Sequence, residues 1–256
     1  MNQSDPSSIE LDRPADDVAM AVVIRNVSKK YGAVVALDDV NIDVPEASIH
    51  GLVGPNGSGK TTLLNAMNAL VKPDHGSVQL LGVDTHRMKP YAVARIGVAR
   101  TFQTPRVFNE LSVWDQVQVG MDTAVDTALG HFWLFEQLEK VKSSWSKSDV
   151  SILPHGSQRL LEIIRVVARA PRLLLMDEPA AGLSADEREG LGLLCRRLRD
   201  DLEMTIVIVE HDLGLIWRLA DRISVMDQGR VVESGTPLEL KGRASVENLF
   251  TGETNA

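Results

Sequence analysis

Hydrophobic and polar positions alternate from Met20 onward. Val22-Val23-Ile24-Arg25-Asn26-Val27, and then Ala36 to Val44, carry β-branched residues at a period of two. That pattern predicts two strands, separated by a turn-like break at Lys29-Lys30-Tyr31-Gly32. An apolar run, Ile49 to Val53, predicts a further strand, and Thr62 to Leu70 behind it is compatible with a helix. Lys72-Pro73-Asp74-His75-Gly76 reads as a turn holding an exposed histidine, and Ser77 to Val83 as a strand. Met88 to Arg95 reads as a helix, and Gly97 to Phe102 as a strand closed by Gln103. From Leu111 to about Lys147 the period becomes helical, with Trp114, Val117 and Met121 three and four residues apart. Phe132, Trp133, Phe135 and Leu138 form a second apolar face, expected to be subdomain core.

Pro154-His155-Gly156 breaks the period, and a helix is expected from about Ser157 to Ala170. Leu173 to Met176 is a short apolar run that ends in Asp177-Glu178-Pro179. This predicts a central strand, buried on both faces, that delivers carboxylates at its C-terminal end. Ser184-Ala185-Asp186-Glu187 has the spacing of a capping box and opens an amphipathic helix to about Glu203. Thr205 to Val209 predicts a second buried strand, ended by Glu210-His211-Asp212. Ile223 to Met226 and Arg230 to Val232 predict a hairpin around Asp227-Gln228-Gly229. Strands alternating with helices imply an α/β fold with a mixed sheet, an antiparallel portion at the N-terminus and a helical insertion at about 104–170. The expected boundaries are a disordered tail at 1–19, rich in Ser, Asp and Pro, a domain at 20–243 and a C-terminal tail at 244–256.

Composition narrows the function classes. A length of 256 residues suits one large domain or two small ones. A net charge of −8 argues against a general nucleic-acid binder. The single cysteine, Cys195, rules out an internal disulfide framework, fits a reducing cytosol and is expected to be a packed bystander. No apolar run approaches the roughly 20 residues that span a bilayer, and the polar, acidic N-terminus is not a signal peptide. A membrane role would therefore run through a protein partner.

The chemistry starts at Gly54-Pro55-Asn56-Gly57-Ser58-Gly59-Lys60-Thr61-Thr62, which fits G-x-x-x-x-G-K-T between a predicted strand and a predicted helix. Glycines let successive N–H groups turn inward on an anion, and the helix adds its unpaired amides and positive dipole end. Lys60 is placed for the β- and γ-phosphates, and the Thr61 hydroxyl for Mg²⁺. Tyr31 lies upstream at an interval from which an aromatic ring could stack on a base, or serve as a half-buried structural tyrosine.

A phosphate loop and one acidic strand imply only a P-loop NTPase. Gln103 after a strand, Leu153-Pro154-His155-Gly156-Ser157-Gln158 before a helix, and His211 after the last buried strand narrow that. In this order, from about Val22 to Gly235, the motifs resemble the ATP-binding subunit of ABC transporters. The resemblance implies that ATP and Mg²⁺ are bound. By it, Asp177 looks like the Walker B metal-binding aspartate, and Glu178 like the carboxylate that polarises the attacking water. Gln103 resembles the Q-loop glutamine, which senses Mg²⁺ and the γ-phosphate beside the membrane subunits. His211 resembles the switch histidine on the γ-phosphate, and Tyr31 the adenine-stacking aromatic. Taken singly, Asp177 and Glu178 could be helix caps, His211 a satisfied strand-end histidine and Gln103 a polar strand terminator. Around a phosphate loop and in order, they point together to ATP hydrolysis by positioning and charge stabilisation.

Three stretches are similar to branched-chain amino-acid import ATPases and their urea-import relatives: Ala99-Arg100-Thr101-Phe102-Gln103, Arg159-Leu160-Leu161-Glu162-Ile163 and Asp177 to Leu183. The resemblance implies membrane permease subunits, a second ATPase subunit and, indirectly, a solute-binding protein as partners. It also implies a place on the cytoplasmic face of the inner membrane. Two departures stand out. The family's signature L-S-G-G-Q aligns here with Leu153, Pro154, His155, Gly156 and Ser157, and Pro154 has neither a hydroxyl nor a backbone N–H. Gly156 and the helix N-terminus remain to face a phosphate. A weakened signature beside intact Lys60, Asp177 and Glu178 implies an asymmetric heterodimer. The stretch from Gln103 to Leu153 also looks short for these importers. Two other readings stay open: another transport class, such as lipid or polysaccharide export, and a regulatory ATP-binding subunit with little turnover.

Overall fold

The structure is a computed structural model, and it describes residues 18–104, 106–108, 110–122 and 155–251. Residues 1–17 of the tail expected at 1–19, the aromatic face from Phe132 to Leu138, and Leu153 and Pro154 lie outside the described residues.

Two sheets form among those residues. One is antiparallel, in the order β2-β1-β4-β5, from β1 (Met20–Tyr31), β2 (Val34–Pro45), β4 (His75–Leu80) and β5 (Val83–Asp84). The other runs β10-β9-β3-β8-β7-β6. Its strands are β3 (Ile49–Val53), β6 (Val98–Arg100), β7 (Leu173–Asp177), β8 (Thr205–Val209), β9 (Arg222–Asp227) and β10 (Arg230–Gly235). Its pairings are parallel except for the β9–β10 hairpin, so the sheet is mixed as the alternating pattern implies.

Both faces of the mixed sheet are covered, which is why β7 and β8 read as continuous apolar runs. Leu173 and Leu175 of β7, with Val207 and Val209 of β8, pack into one core. That core includes Leu63, Leu64 and Met67 of α1 (Lys60–Met67) and the inner face of the antiparallel sheet, with Val22, Ile24 and Ile42. Leu174, Met176, Ile206 and Ile208 point the other way. They pack into a second core with residues of α4 (His155–Val167), α5 (Ala185–Leu202) and α6 (Leu213–Leu219). The parallel strands β7, β8 and β3 therefore bring the ends carrying Asp177, Glu210 and Gly54 to one edge of the sheet, where ligands bind in open α/β folds.

The local expectations hold at several points. Ser184 accepts a hydrogen bond from Glu187 N while the Glu187 carboxylate accepts from Ser184 N, completing the capping box of α5. The β9–β10 hairpin closes through Gln228 and Gly229, both at positive φ. Trp114, Val117 and Met121 lie on α3 (Val113–Met121), and all three pack into the second core.

Elsewhere the structure corrects the pattern. Lys29, Lys30 and Tyr31 continue β1 instead of breaking it, because Lys30 pairs with Val35 and Tyr31 with Val34; the turn is at Gly32-Ala33. The strand expected over Ser77 to Val83 is interrupted at Leu81-Gly82, both left-handed, and the chain doubles back as β5. His75 is exposed but belongs to β4. The helix expected from Met88 is the shorter α2 (Pro90–Arg95), and the strand expected over Gly97 to Phe102 is limited to β6. The C-terminal stretch from 244 contains a helix: after α7 (Pro237–Leu240), α8 (Ala244–Thr251) buries Val246 in the second core, with Leu249 and Phe250 packed against it.

Candidate active site

The loop from Gly54 to Gly59 leaves β3 and enters α1 through Gly59, whose φ of 105° is left-handed. A side chain there would be strained, and its Cβ would come within 2.4 Å of the Ala36 carbonyl oxygen. Gly54 is as constrained, because a Cβ would meet Met226 O at 2.1 Å. Ser58 N donates to Pro55 O at 3.2 Å, and Gly229 N donates to Ser58 O at 3.0 Å, tying the loop to the β9–β10 hairpin. Lys60 is buried, and its ammonium donates to Gly54 O and Pro55 O, each at 2.8 Å. Burial lowers its pKa, while the nearby Glu178 and Asp177 carboxylates act in the opposite sense. Thr61 is exposed and Thr62 half-buried in the first turn of α1, while Asn56 and Gly57 are exposed at the tip of the loop.

Asp177 ends β7 with its side chain 5% exposed, and Arg100 of β6 lies 3.0 Å from its Oδ2. Burial raises the Asp177 pKa, and Arg100 opposes that shift. The second arm of the Arg100 guanidinium donates to Asn65 Oδ1 of α1 at 2.7 Å, so one residue joins β6, β7 and the phosphate-loop helix.

Glu178 follows with a φ of 46°, a conformation that costs of order 1–3 kcal/mol for a non-glycine residue and needs surrounding structure to hold it. Three hydrogen bonds do so. Glu178 N donates to Val209 O at 2.9 Å, Ala181 N to Glu178 O at 3.2 Å, and Ala180 N to the buried Glu210 carboxylate at 2.7 Å. The turn aims the Glu178 side chain between Gln103 and His211. Gln103 Nε2 donates to its Oε2 at 2.9 Å, and His211 Nδ1 is 3.8 Å from its Oε1. His211 is largely exposed, next to Asp212, which caps α6 by accepting from Leu215 N at 3.2 Å.

The structure therefore brings together Gln103, Asp177, Glu178 and His211, with Lys60 close enough to feel both carboxylates. Tyr31 is about half exposed at the tip of the β1–β2 hairpin, with Lys29 Nζ 5.6 Å from its ring centroid. Gly156, in the first turn of α4, is not hydrogen-bonded to the loop among the described residues. Its neighbour is the Glu187 carboxylate, which a Cβ would meet at 2.1 Å. Cys195 is buried and inert, its thiol pushed up to about 12 by burial. Sequence reasoning missed the buried charges that set the site: Arg100, Arg159, Glu162 and Glu210. The available signal was a charge inside an otherwise apolar strand, and opposite charges three apart on an amphipathic helix.

The ABC transporter family profile matches residues 37–181. The high-affinity branched-chain amino acid transport ATP-binding protein BraF of Pseudomonas aeruginosa is 31% identical over 247 residues, covering 90% of this chain and 97% of that protein. LivG of Escherichia coli, of the same description, is 32% identical over 248 residues, covering 90% and 97%. A sulfate/thiosulfate import ATP-binding protein, CysA of Mycolicibacterium paratuberculosis, is 35% identical over 232 residues, 90% of this chain and 63% of that protein. Among solved structures, the ADP conformation of MJ1267, an ATP-binding cassette of an ABC transporter, superposes with a TM-score of 0.80 at 27% identity, covering 92% of this chain and all of that one.

Proposed function

The chain belongs to the ABC transporter ATP-binding family, and from that premise we propose that it powers import of branched-chain or other hydrophobic amino acids. ATP hydrolysis coupled to transport follows from the family itself. The solute class is supported by the similarity to BraF and LivG over nine-tenths of the chain. The similarity to CysA favours a second reading, import of a small inorganic anion.

The observation that carries the catalytic assignment is the Glu178 carboxylate at the end of β7, held at 2.9 Å by Gln103 with His211 on its other oxygen. Glu178 orients and polarises the attacking water, Lys60 and the loop amides hold the phosphates, and His211 contacts the γ-phosphate. Tyr31 stacks on the adenine. The donors also fit Mg²⁺: the Thr61 hydroxyl, the Asp177 carboxylate and the Gln103 amide oxygen are hard ligands. Among the described residues no cluster of three His, Cys, Asp or Glu competes for a metal. Bound there, Mg²⁺ would neutralise phosphate charge, with Arg100 holding Asp177 Oδ2.

In this reading the ATP-binding domain, expected over 20–243, extends through α8, and 104–170 hold its helical subdomain. The partners are permease subunits, a second ATPase subunit and, through the permease, a solute-binding protein, at the cytoplasmic face of the inner membrane. No described helix is long and apolar enough to cross a membrane, which fits attachment through the permease. Pro154 weakens the chain's own signature, so the pair is an asymmetric heterodimer.

The test is ATP hydrolysis by the full chain and its Glu178→Gln variant, with nucleotide binding measured alongside. We expect hydrolysis to fall at least about a hundredfold while ATP remains bound. A variant that hydrolyses ATP at the wild-type rate would remove Glu178 from its role.

A further inference from the structure

We infer that Arg159 and Glu162 of α4 are positioning residues that set Gln103 against Glu178 and so connect the N-terminal end of α4 to the catalytic carboxylate. The inference rests on the reading of Glu178 given above. Arg159 and Glu162 form an ion pair at 2.8 Å, with both side chains 1% exposed. Taking two charges out of water is costly, and a buried pair is weak evidence of stabilisation for its own sake. Beyond the ion pair, the hydrogen bonds this pair makes go to one short piece of chain, while Arg159 Nε is buried without a partner among the described residues. The Arg159 guanidinium donates to the carbonyls of Phe102 and Gln103. Glu162 Oε1 accepts from Arg106 N at 3.2 Å, and Phe102 N stands 3.5 Å from the same oxygen.

That piece of chain has left the sheet. β6 ends at Arg100, the backbone of Thr101 still donates to Leu175 O at 3.0 Å, and beyond it no ladder fixes the path. The carbonyls of Phe102 and Gln103 and the amide of Arg106 are hydrogen-bonded by α4. Gln103 is itself exposed, so no packing fixes its side chain, and its reach to Glu178 depends on where its backbone is held. The contacts form an unbroken series from the helix that opens at His155 and Gly156, through Arg159 and the Gln103 backbone, to Gln103 Nε2 and Glu178 Oε2. A displacement of α4 moves the Gln103 carbonyl with it, because the planar guanidinium grips two consecutive carbonyls at once.

A double-mutant cycle on the full chain tests this, using Glu162→Gln, Gln103→Ala and the pair, with kcat for ATP hydrolysis and Kd for a fluorescent ATP analogue measured separately. If the residues act in series, Glu162→Gln lowers kcat about tenfold with Kd within about twofold, and the double variant is no slower than Gln103→Ala alone. Effects that multiply, or a Kd that rises while kcat stays, would overturn the proposal. Arg159→Lys guards against misfolding: it keeps the charge beside Glu162 but cannot hold both carbonyls. It should lose kcat with its melting temperature retained, and full activity in that variant also overturns the proposal. A wild-type chain that does not hydrolyse ATP even when assembled with its second ATPase subunit would instead remove the reading of Glu178.

Discussion

Arg100 and Asp177 are 77 residues apart in sequence and meet at 3.0 Å, both almost wholly buried, at the ends of the neighbouring parallel strands β6 and β7. The same guanidinium reaches Asn65 on α1 at 2.7 Å. The carboxylate assigned to the metal is therefore held in one orientation by a cation that cannot be titrated away. That is a stiffer arrangement than a lysine would give.

Arg100→Met should leave Asp177 buried without its partner and lower stability by about 3 kcal/mol, read as a urea midpoint shift. Asp177 would then titrate higher still, because burial already raises its pKa and Arg100 is what opposes it. Binding of Mn²⁺ as a Mg²⁺ probe, measured by electron paramagnetic resonance with nucleotide present, should weaken in the variant. Unchanged metal affinity would show that Arg100 serves the fold alone.

His50 gives the chain a pH limit. It is 2% exposed on β3, with Nε2 3.0 Å from Ser224 Oγ, and burial first, then the charge of Arg222, push its pKa down to about 4. A histidine whose folded pKa lies below its unfolded value of 6.5 binds fewer protons in the native state. Stability is therefore fully present above 6.5 and is lost as pH falls from there through about 4. Between pH 7.5 and 4 the wild type should lose on the order of 2–3 kcal/mol more than His50→Gln, which offers a polar group of similar reach to Ser224 without titrating. Parallel urea midpoints for the two proteins across that range would reject the account.

Much of this was legible because the informative signals are local. β7 and β8 are apolar on both faces, so their runs are continuous, and the capping box at Ser184 lies within four residues. The phosphate loop, Asp177, Glu178 and His211 mark strand ends, and strand ends are where a parallel sheet places chemistry. What was missed depends on pairing across the chain. Lys29 to Tyr31 carry no strand signal of their own and are strand because β2 lies beside them. Arg159 looks like a solvated helix residue until Phe102 and Gln103 arrive, from 57 and 56 residues upstream. A buried charge is silent in a hydrophobic pattern unless its partner is known.

The proposed asymmetry of the ATPase pair turns on Pro154, where the family's signature carries a serine. A charge-assisted hydrogen bond of the kind that serine makes is worth about 1.5–3 kcal/mol. Pro154→Ser should therefore raise the hydrolysis rate of the assembled pair by roughly tenfold if hydrolysis is limited by that lost contact. Single-turnover ATPase of the reconstituted transporter measures it, and an unchanged rate would remove the asymmetry.

Glu210 supplies the last prediction, since it sits one residue before His211 yet points away from solvent, 1% exposed, with its carboxylate accepting from Ala180 N at 2.7 Å. Ala180 is two residues beyond Glu178, in the turn that keeps Glu178 at positive φ. Burial raises the Glu210 pKa above its usual 4.5, with the Ala180 hydrogen bond opposing the shift. A carboxyl raised in the folded state contributes stability below pH 4.5 that is lost as pH rises through its folded value. Two substitutions separate the charge from the hydrogen bond. Glu210→Gln keeps an acceptor for Ala180 N, so it should match the wild type at low pH and exceed it as pH rises. Glu210→Ala strands the amide in the interior, at a cost of about 1–3 kcal/mol. It also loosens the turn under Glu178, so its hydrolysis should fall while that of Glu210→Gln is retained. If the two variants lose activity equally, the turn is held by something other than this carboxylate, and the left-handed backbone at Glu178 would need another support.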